Sequence, residues 1–177
     1  MILSEFILLG IGGKELSEKN AAQTAKALNI IQPDFIRVHA TGIKLESKLG
    51  EFVRDGSFTL QSEEEIVIEQ KLFLQQLHEM DSYYVNEHIV NLLLEVRGNL
   101  RTEKQEMLST IDRFLTLPPD ERLLFTVGRR LNIFFRLDDL KKPKLHQKAG
   151  ESLQQILSKN PHVDFAALCN YVRQSQI

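Results

Sequence analysis

A short apolar run near the start of the chain constrains the fold more than any other feature. It covers residues 5–11, breaks into Gly12 and Gly13, and is followed by a helical pattern that runs through Ala21, Ala22, Ala25 and Leu28. Strands that are apolar on both faces are typical of parallel sheets covered by helices. Residues 35–40 form a second strand pattern, so the segment predicts one βαβ unit with a right-handed crossover and parallel strands.

The two predicted strands should deliver polar and flexible residues to the same edge of the sheet. Parallel neighbours end on one side, which brings residues 10–13 and 39–42 together. Ligands of open α/β proteins bind beyond the carboxyl ends of the strands. These two segments therefore contain candidate site residues.

A long helix is predicted to begin at Ser62, because Ser62 and Glu65 form the pattern of a capping box. An apolar stripe along this helix should pack on the sheet; it comprises Ile66, Phe73, Leu77 and Met80. The opposite, solvent-facing side is expected to carry Glu64, Glu69 and Lys71.

Later segments predict a third strand and then only helices. The third strand is Tyr83-Tyr84-Val85, and a second capping box is expected from Thr102 and Gln105. Pro118-Pro119 marks the start of a further helix. That helix ends at Arg129-Arg130, which we interpret as a solvated end whose charge suits the helix dipole. The predicted division is a partial barrel over residues 1–117 and a helical tail over residues 118–177.

Composition excludes several classes of protein. The 177 residues carry a net charge of −2, which argues against a protein dedicated to nucleic acid or anionic membranes. No apolar run approaches the roughly 20 residues that cross a bilayer. The single cysteine, Cys169, excludes an internal disulfide and a cluster site built from cysteines of this chain. A reducing, cytoplasmic compartment is therefore expected, and no metal site is predicted.

The glycine turn does not match the common nucleotide-binding motifs. A dinucleotide fingerprint needs a third glycine where Glu15 stands, and an acidic residue at the end of the second strand, where His39 and Ala40 stand. Lysine followed by serine or threonine is also missing, which excludes a P-loop. Two interpretations stay open: Gly10, Gly12 and Gly13 shape a structural turn, or they let a bound cofactor approach the backbone.

Polar residues near the other strand ends are candidates for ligand contact. His39 lies at the ligand edge beside Arg37, and it is either a satisfied structural residue or a functional one. His88 and Asn91 are spaced to face the same way on a helical turn. They either contact a polar ligand or fix the loop that follows the third strand.

An ordered set of segments resembles the later part of a radical S-adenosylmethionine (radical SAM) protein. The segments are ILLGIGGKE at 7–15, the pattern A-x-x-T-A-x-x-L-N at 21–29, PDFIR at 33–37, H-x-x-N at 88–91, G-x-L at 98–100 and GRR at 128–130. The resemblance covers about residues 5–130. It implies an α/β fold, namely a partial parallel (β/α) barrel segment of two to three strands with a C-terminal helical appendage.

The resemblance also implies cofactors and site residues. Proteins of this family bind S-adenosylmethionine and a [4Fe-4S] cluster at the carboxyl edge of the barrel. The cluster motif, Cys-x3-Cys-x2-Cys, is absent from this sequence, so neither cofactor is expected to be held by this chain alone. The cofactor-side residues implied are Gly10, Gly12, Gly13 and Glu15, and the substrate-side residues are Arg37, His39, His88 and Asn91.

Two functions are therefore expected as alternatives. In the first, the chain is the C-terminal part of a radical SAM enzyme, inactive without an N-terminal half of the barrel that supplies the cluster. The apolar strand so close to Met1 favours a chain that continues a longer protein. In the second, the chain is a non-catalytic binding or assembly module, and a homodimer partner covers its sheet edge.

Overall fold

The computed structural model describes residues 1–176 as a mixed α/β protein. Its elements in chain order are β1 Ser4–Leu9, α1 Ser17–Ile31, β2 Phe35–Ala40, α2 Lys48–Arg54, α3 Glu63–Gln76, β3 Tyr83–Val85, β4 Gly98–Asn99, α4 Lys104–Leu115, α5 Pro119–Arg130, a 3-10 helix at Leu137–Lys141, α6 Pro143–Lys159 and α7 Phe165–Gln174. None of the helices in this described part combines the length and apolar character needed to cross a lipid bilayer.

The strands form one sheet in the sequential order β1-β2-β3-β4. β1, β2 and β3 are parallel, and Leu9 of β1 lies opposite Ala40 of β2. The α/β prediction and the predicted parallel neighbours are thus confirmed. β4 pairs antiparallel with β3; with two residues it is too short to leave a periodic signal in the sequence.

Both crossovers advance the sheet in the same direction, which places α1 and α3 on one face. Inward side chains of the strands, such as Ile7, Ile36 and Tyr84, are buried against these helices. The opposite side, here called the open face, carries the alternate residues of each strand. It comprises Phe6, Leu8, Phe35, Arg37, His39, Tyr83 and Val85. No other element of residues 1–176 lies across this face as a second layer of helices.

The tail helices share the core of the sheet. Phe114 of α4 and Phe125 of α5 lie with ring centroids 5.9 Å apart, and Phe134 stacks on Phe125 at the same distance. All three belong to one buried cluster with Ile36 and Tyr84. α5 and α6 are therefore packed against the α/β part through one continuous hydrophobic core.

The predicted capping box at Thr102 is wrong. α4 begins at Lys104, its N-cap is Glu103, and no side chain caps it. Glu103 instead accepts a hydrogen bond from the backbone N–H of Asn99 at 2.7 Å. This bond closes a local turn over residues 99–103, which contains Thr102 and precedes the helix.

Candidate functional site

The glycine turn after β1 is held by a buried carboxylate of α3. Gly10 and Gly13 adopt positive φ angles of 81° and 62°, which favour glycine. The N–H of Gly13 donates to the carbonyl of Gly10 at 3.2 Å. The N–H of Gly10 donates to Glu69 Oε1 at 3.1 Å. The turn is therefore closed by its own backbone and by one side chain from another element.

Glu69 does not face solvent, so the prediction that it lies on the solvent-facing side of α3 is wrong. The side chain is fully buried. Besides the amide of Gly10, it accepts from Ser17 Oγ at 2.8 Å and from Asn20 Nδ2 at 2.7 Å. Three donors offset the loss of hydration of a buried carboxylate. Glu69 thus joins the glycine turn to the start of α1.

Glu15 and its neighbours contact the segment that precedes α3. Thr59 Oγ1 donates to Glu15, and this bond lowers the pKa of the exposed Glu15 carboxyl. The N–H of Lys14 donates to the carbonyl of Thr59 at 3.1 Å, and its Nζ lies 2.8 Å from Glu65. The structure therefore gives the turn residues protein partners. Contact of Gly10, Gly12, Gly13 and Glu15 with a cofactor stays a prediction.

Three of the four substrate-side candidates meet on the open face. The imidazole rings of His39 and His88 stack with centroids 4.3 Å apart. Phe6 meets His39 edge-on at 5.5 Å. The guanidinium of Arg37 lies 5.9 Å from the ring centroid of Phe6 and 5.7 Å from that of Phe35. β1, β2 and the segment after β3 thus contribute to one cluster of rings and cationic groups.

The ionisable groups of this cluster, one arginine and two histidines, are all bases. Burial, the neighbouring His88 and the charge of Arg37 together lower the pKa of His39, so its ring is held neutral to lower pH than usual. His88 Nδ1 accepts from the N–H of Val90 at 3.4 Å, which leaves Nε2 as the position for its proton. Among residues 1–176 no carboxylate forms an ion pair with Arg37.

Asn91 is the fourth candidate, and its side-chain amide forms hydrogen bonds with the backbone of β2. Oδ1 accepts from the N–H of Ala40 and Nδ2 donates to the carbonyl of Val38, both at 2.7 Å. β3 ends before it can pair with this part of β2. The amide of Asn91 therefore supplies the hydrogen bonds that a longer β3 would make, and it fixes the strand end that presents His39.

A buried carboxylate–arginine cluster lies beside these strand ends. Glu63, the first residue of α3, accepts from Arg130 Nε at 3.0 Å and also from Arg173 of α7. All three side chains are buried. This corrects the interpretation of Arg129-Arg130 as a solvated helix end. Arg129 is also buried, and burial together with Arg130 lowers its pKa to about 10.

The same cluster fastens the loops after β2 and β3. Arg129 Nη2 donates to the carbonyls of Ile89 and Asn91 at 3.0 and 3.2 Å. Arg173 Nε donates to the carbonyl of Thr41 at 3.0 Å. α7 adds Asn170, which bonds both backbone groups of one loop residue, accepting from Ile43 N–H at 2.8 Å and donating to its carbonyl at 2.9 Å.

Cys169 lies next to this cluster in α7. The thiol is buried, and burial together with the charge of Glu63 raises its pKa to about 12. A thiol in this state is a poor nucleophile and a poor metal ligand at neutral pH. Within residues 1–176 no group of three or more His, Cys, Asp or Glu side chains is arranged to hold a metal ion.

Glu63, Asn170 and Arg173 were not singled out from the sequence. Their partners lie between 67 and 132 residues away, and no local spacing reveals such pairs. Comparisons of the chain with family models, with curated proteins and with solved structures each found no significant match. The functional interpretation therefore depends on the geometry and on the resemblance of the sequence motifs.

Proposed function

We propose that this chain is the late-strand part of a radical SAM enzyme, which becomes active when an N-terminal half completes its barrel. One observation carries the proposal: the three parallel strands β1, β2 and β3 follow each other in sequential order with their crossover helices on one side. Repeated right-handed crossovers in one direction are the construction of a (β/α) barrel. The open face would then line the interior of that barrel.

The side chains of the open face have the character expected of a substrate-side wall. Arg37 offers positive charge, His39 and His88 offer ring nitrogens for hydrogen bonds, and Phe6 and Leu8 offer apolar surface, with 65% and 47% of each exposed. Mixed apolar and polar lining is usual for small-molecule sites. Asn91 and the Glu63 cluster act behind this wall, because they hold the strand ends that carry the two histidines.

The residues of this chain do not fit a [4Fe-4S] cluster. Its one cysteine is buried in α7, and burial raises the thiol pKa, whereas a cluster is held by several cysteine thiolates. The proposal therefore assigns the cluster, which supplies the electron for reductive cleavage of S-adenosylmethionine, to the N-terminal half. This chain would contribute the glycine turn, the open face and the tail helices.

Reconstitution from two polypeptides tests the proposal. The reading frame upstream of this chain should encode the Cys-x3-Cys-x2-Cys motif. Co-expression of that polypeptide with this chain, followed by anaerobic loading with iron and sulfide, should give a complex that releases 5′-deoxyadenosine from S-adenosylmethionine when reduced. Either half alone should release far less.

Two results would overturn it. One is an upstream region without the cysteine motif, and the other is a pair that assembles with its cluster but forms no more product than the N-terminal half alone. Phe6→Lys should weaken assembly because Phe6 lies on the open face. Phe52→Lys is the matched control, since Phe52 is 41% exposed on α2, away from the sheet.

The open face also favours a second candidate, a non-catalytic assembly module. β1 is an edge strand, and Ile2, Phe6 and Leu8 are largely exposed on or beside it. Exposed apolar strands at a sheet edge tend to pair with another chain. A second copy of this chain could cover this surface as a homodimer.

A further inference from the structure

The open face carries an apolar column of side chains next to a basic one. The apolar column is Phe6 and Leu8 of β1, and the basic column is Arg37 and His39 of β2. The register places Phe6 opposite Arg37 and Leu8 opposite His39. Neighbouring strands lie about 4.8 Å apart, and alternate residues of one strand lie about 6.6 Å apart. Apolar surface and nitrogen atoms therefore lie side by side over the dimensions of a small organic molecule.

His88 extends the basic column from the segment that follows β3. Its ring stacks on that of His39 with centroids 4.3 Å apart. We call Arg37, His39 and His88 the basic cluster. Arg37 Nε donates to Ser4 Oγ at 3.0 Å, which fixes the guanidinium and leaves its two Nη groups for another acceptor. Because Nδ1 of His88 accepts from the backbone, its Nε2–H is a further donor.

A ligand on the open face can reach these donors. All three residues of the basic cluster are half-buried, so each keeps part of its surface exposed. None of their nitrogen atoms is among the fully buried polar atoms of residues 1–176 that lack a partner. The nitrogens that have no protein partner therefore face solvent.

Carboxylates of the chain do not balance the basic cluster. Among residues 1–176 none forms an ion pair with it. Glu5 belongs to the alternate residues of β1 that face the helices. Asp34 accepts from the N–H of Leu3 at 2.8 Å, and Glu87 pairs with Arg97. Three neighbouring bases in this state attract an anion and offer it charge-assisted hydrogen bonds.

We propose that the basic cluster binds the anionic group, a carboxylate or a phosphate, of an organic ligand whose apolar part packs on Phe6 and Leu8. The Nη groups of Arg37 and the Nε2–H of His88 donate to the oxygen atoms of the anion. In the proposed enzyme this ligand is the substrate, and the inference rests on the proposed function for that role alone. Binding itself is a property of this chain.

Proton uptake by His39 is coupled to this binding. Burial, the stacked His88 and the charge of Arg37 lower the pKa of His39, and Phe6, which meets it from β1, is uncharged. A bound anion offsets the repulsion among these bases and should raise that pKa. By linkage, the anion should bind more tightly at about pH 6 than at about pH 8.

Calorimetric titration of the isolated chain tests the proposal, at a dilution that sedimentation shows to be monomeric. The probes are benzoate, phenyl phosphate and the neutral benzamide. At least one of the two anions should bind saturably and about tenfold more tightly than benzamide, and the tighter anion identifies the anionic group of the ligand. Arg37→Gln should weaken that anion about tenfold and leave benzamide almost unaffected.

Arg101→Gln is the matched control. It also removes one positive charge, but from an exposed arginine that pairs with Asp81, before β3. This variant should bind the anion as the wild type does and should keep the pH dependence. The double variant His39→Gln/His88→Gln should lose the pH dependence, because no imidazole is left to take up a proton.

Three results would overturn the proposal. They are absence of saturable binding of either anion at about pH 6, equal affinity for the anions and benzamide, and equal weakening by Arg37→Gln and Arg101→Gln. If Arg37→Gln fails to fold, the probe series and the double histidine variant decide. None of these measurements needs an iron–sulfur cluster or S-adenosylmethionine, so failure of this site is distinguishable from failure of the proposed enzyme.

Discussion

Glu63 is a buried carboxylate that is balanced by two buried arginines. Burial alone would raise its pKa, but the guanidinium groups of Arg130 and Arg173 outweigh this effect and lower it. The cluster holds more positive than negative charge once Arg129 is included. Backbone carbonyls, among them those of Val90 and Thr41, accept hydrogen bonds from these arginines. Removal of the carboxylate would leave buried arginines without their counterion.

Glu63→Gln should therefore lower the free energy of unfolding by about 3 kcal/mol, as expected when one partner of a buried ion pair is removed. Denaturant unfolding at neutral pH measures this difference. Glu64→Gln is the matched control. Glu64 pairs with Arg122 at 3.2 Å, but its side chain is 43% exposed, so its loss should cost below about 1 kcal/mol. Equal effects of the two variants would contradict the role given to Glu63.

The same variant predicts a pH dependence. Because the folded protein lowers the pKa of Glu63 below its usual 4.5, its contribution is present above that pH and is lost as the pH falls. The stability difference between wild type and Glu63→Gln should thus shrink in acid, as measured by unfolding at a series of pH values. A difference that stays constant on acidification would contradict this linkage.

The burial of Glu69 could have been predicted in part from the sequence. It follows Ile66 by three residues and precedes Phe73 by four, which places it on the buried stripe of α3. Its charge favoured the solvent-facing interpretation, but donors from Gly10, Ser17 and Asn20 make burial possible. Those donors belong to other elements, so the spacing could indicate the face and the tertiary fold had to supply the partners.

The element boundaries follow local rules where a rule acts within one turn. Residues 35–40 form β2 as predicted, Pro119 begins α5, and the capping box of Ser62 and Glu65 is present. The similar pattern at Thr102 does not form a capping box: α4 begins two residues later, and Glu103 accepts from the backbone of Asn99. β4 escapes prediction because its pairing with β3 depends on position in the sheet.

Ser62→Ala should cost about 1 kcal/mol of stability, the usual effect of removing an N-cap. Ser62 Oγ accepts from the N–H of Glu65 at 3.2 Å, and Glu65 Oε2 accepts from the N–H of Ser62 at 2.7 Å. Thermal and denaturant unfolding measure the change. Ser152→Ala is the control, since that serine lies inside α6 and donates to the carbonyl of Lys148. A loss as large at Ser152 as at Ser62 would show that capping is not the cause.

At the scale of the whole molecule, the strand order decides which surface is left uncovered. The sequence predicts the βαβ unit and its parallel strands, since crossover handedness is nearly invariant. It does not predict what covers the open face, because the residues there alternate with core residues and are partly apolar. Phe6 and Leu8 look like core in the sequence and are exposed in the fold.

The isolated chain should therefore self-associate through the open face. Sedimentation velocity should show a concentration-dependent dimer for the wild type and for Phe52→Lys, and a monomer for Phe6→Lys. Phe6 is a surface residue, so its substitution should change stability by no more than about 0.5 kcal/mol. Addition of the cluster-bearing half should replace the homodimer under the radical SAM proposal, and should leave it intact if the chain is an assembly module.

The arginine cluster also has a consequence for how the chain is made. Glu63 leaves the ribosome 110 residues before Arg173, and translation proceeds at about 5–20 residues per second. Arg173, the second arginine partner of this carboxylate, is therefore synthesised roughly 5 to 20 seconds after Glu63. During this interval the loops after β2 and β3 lack the helix that fastens them. The loops at the carboxyl edge of the sheet thus stay unfastened until α7 has been synthesised. During that time they are accessible to cellular chaperones.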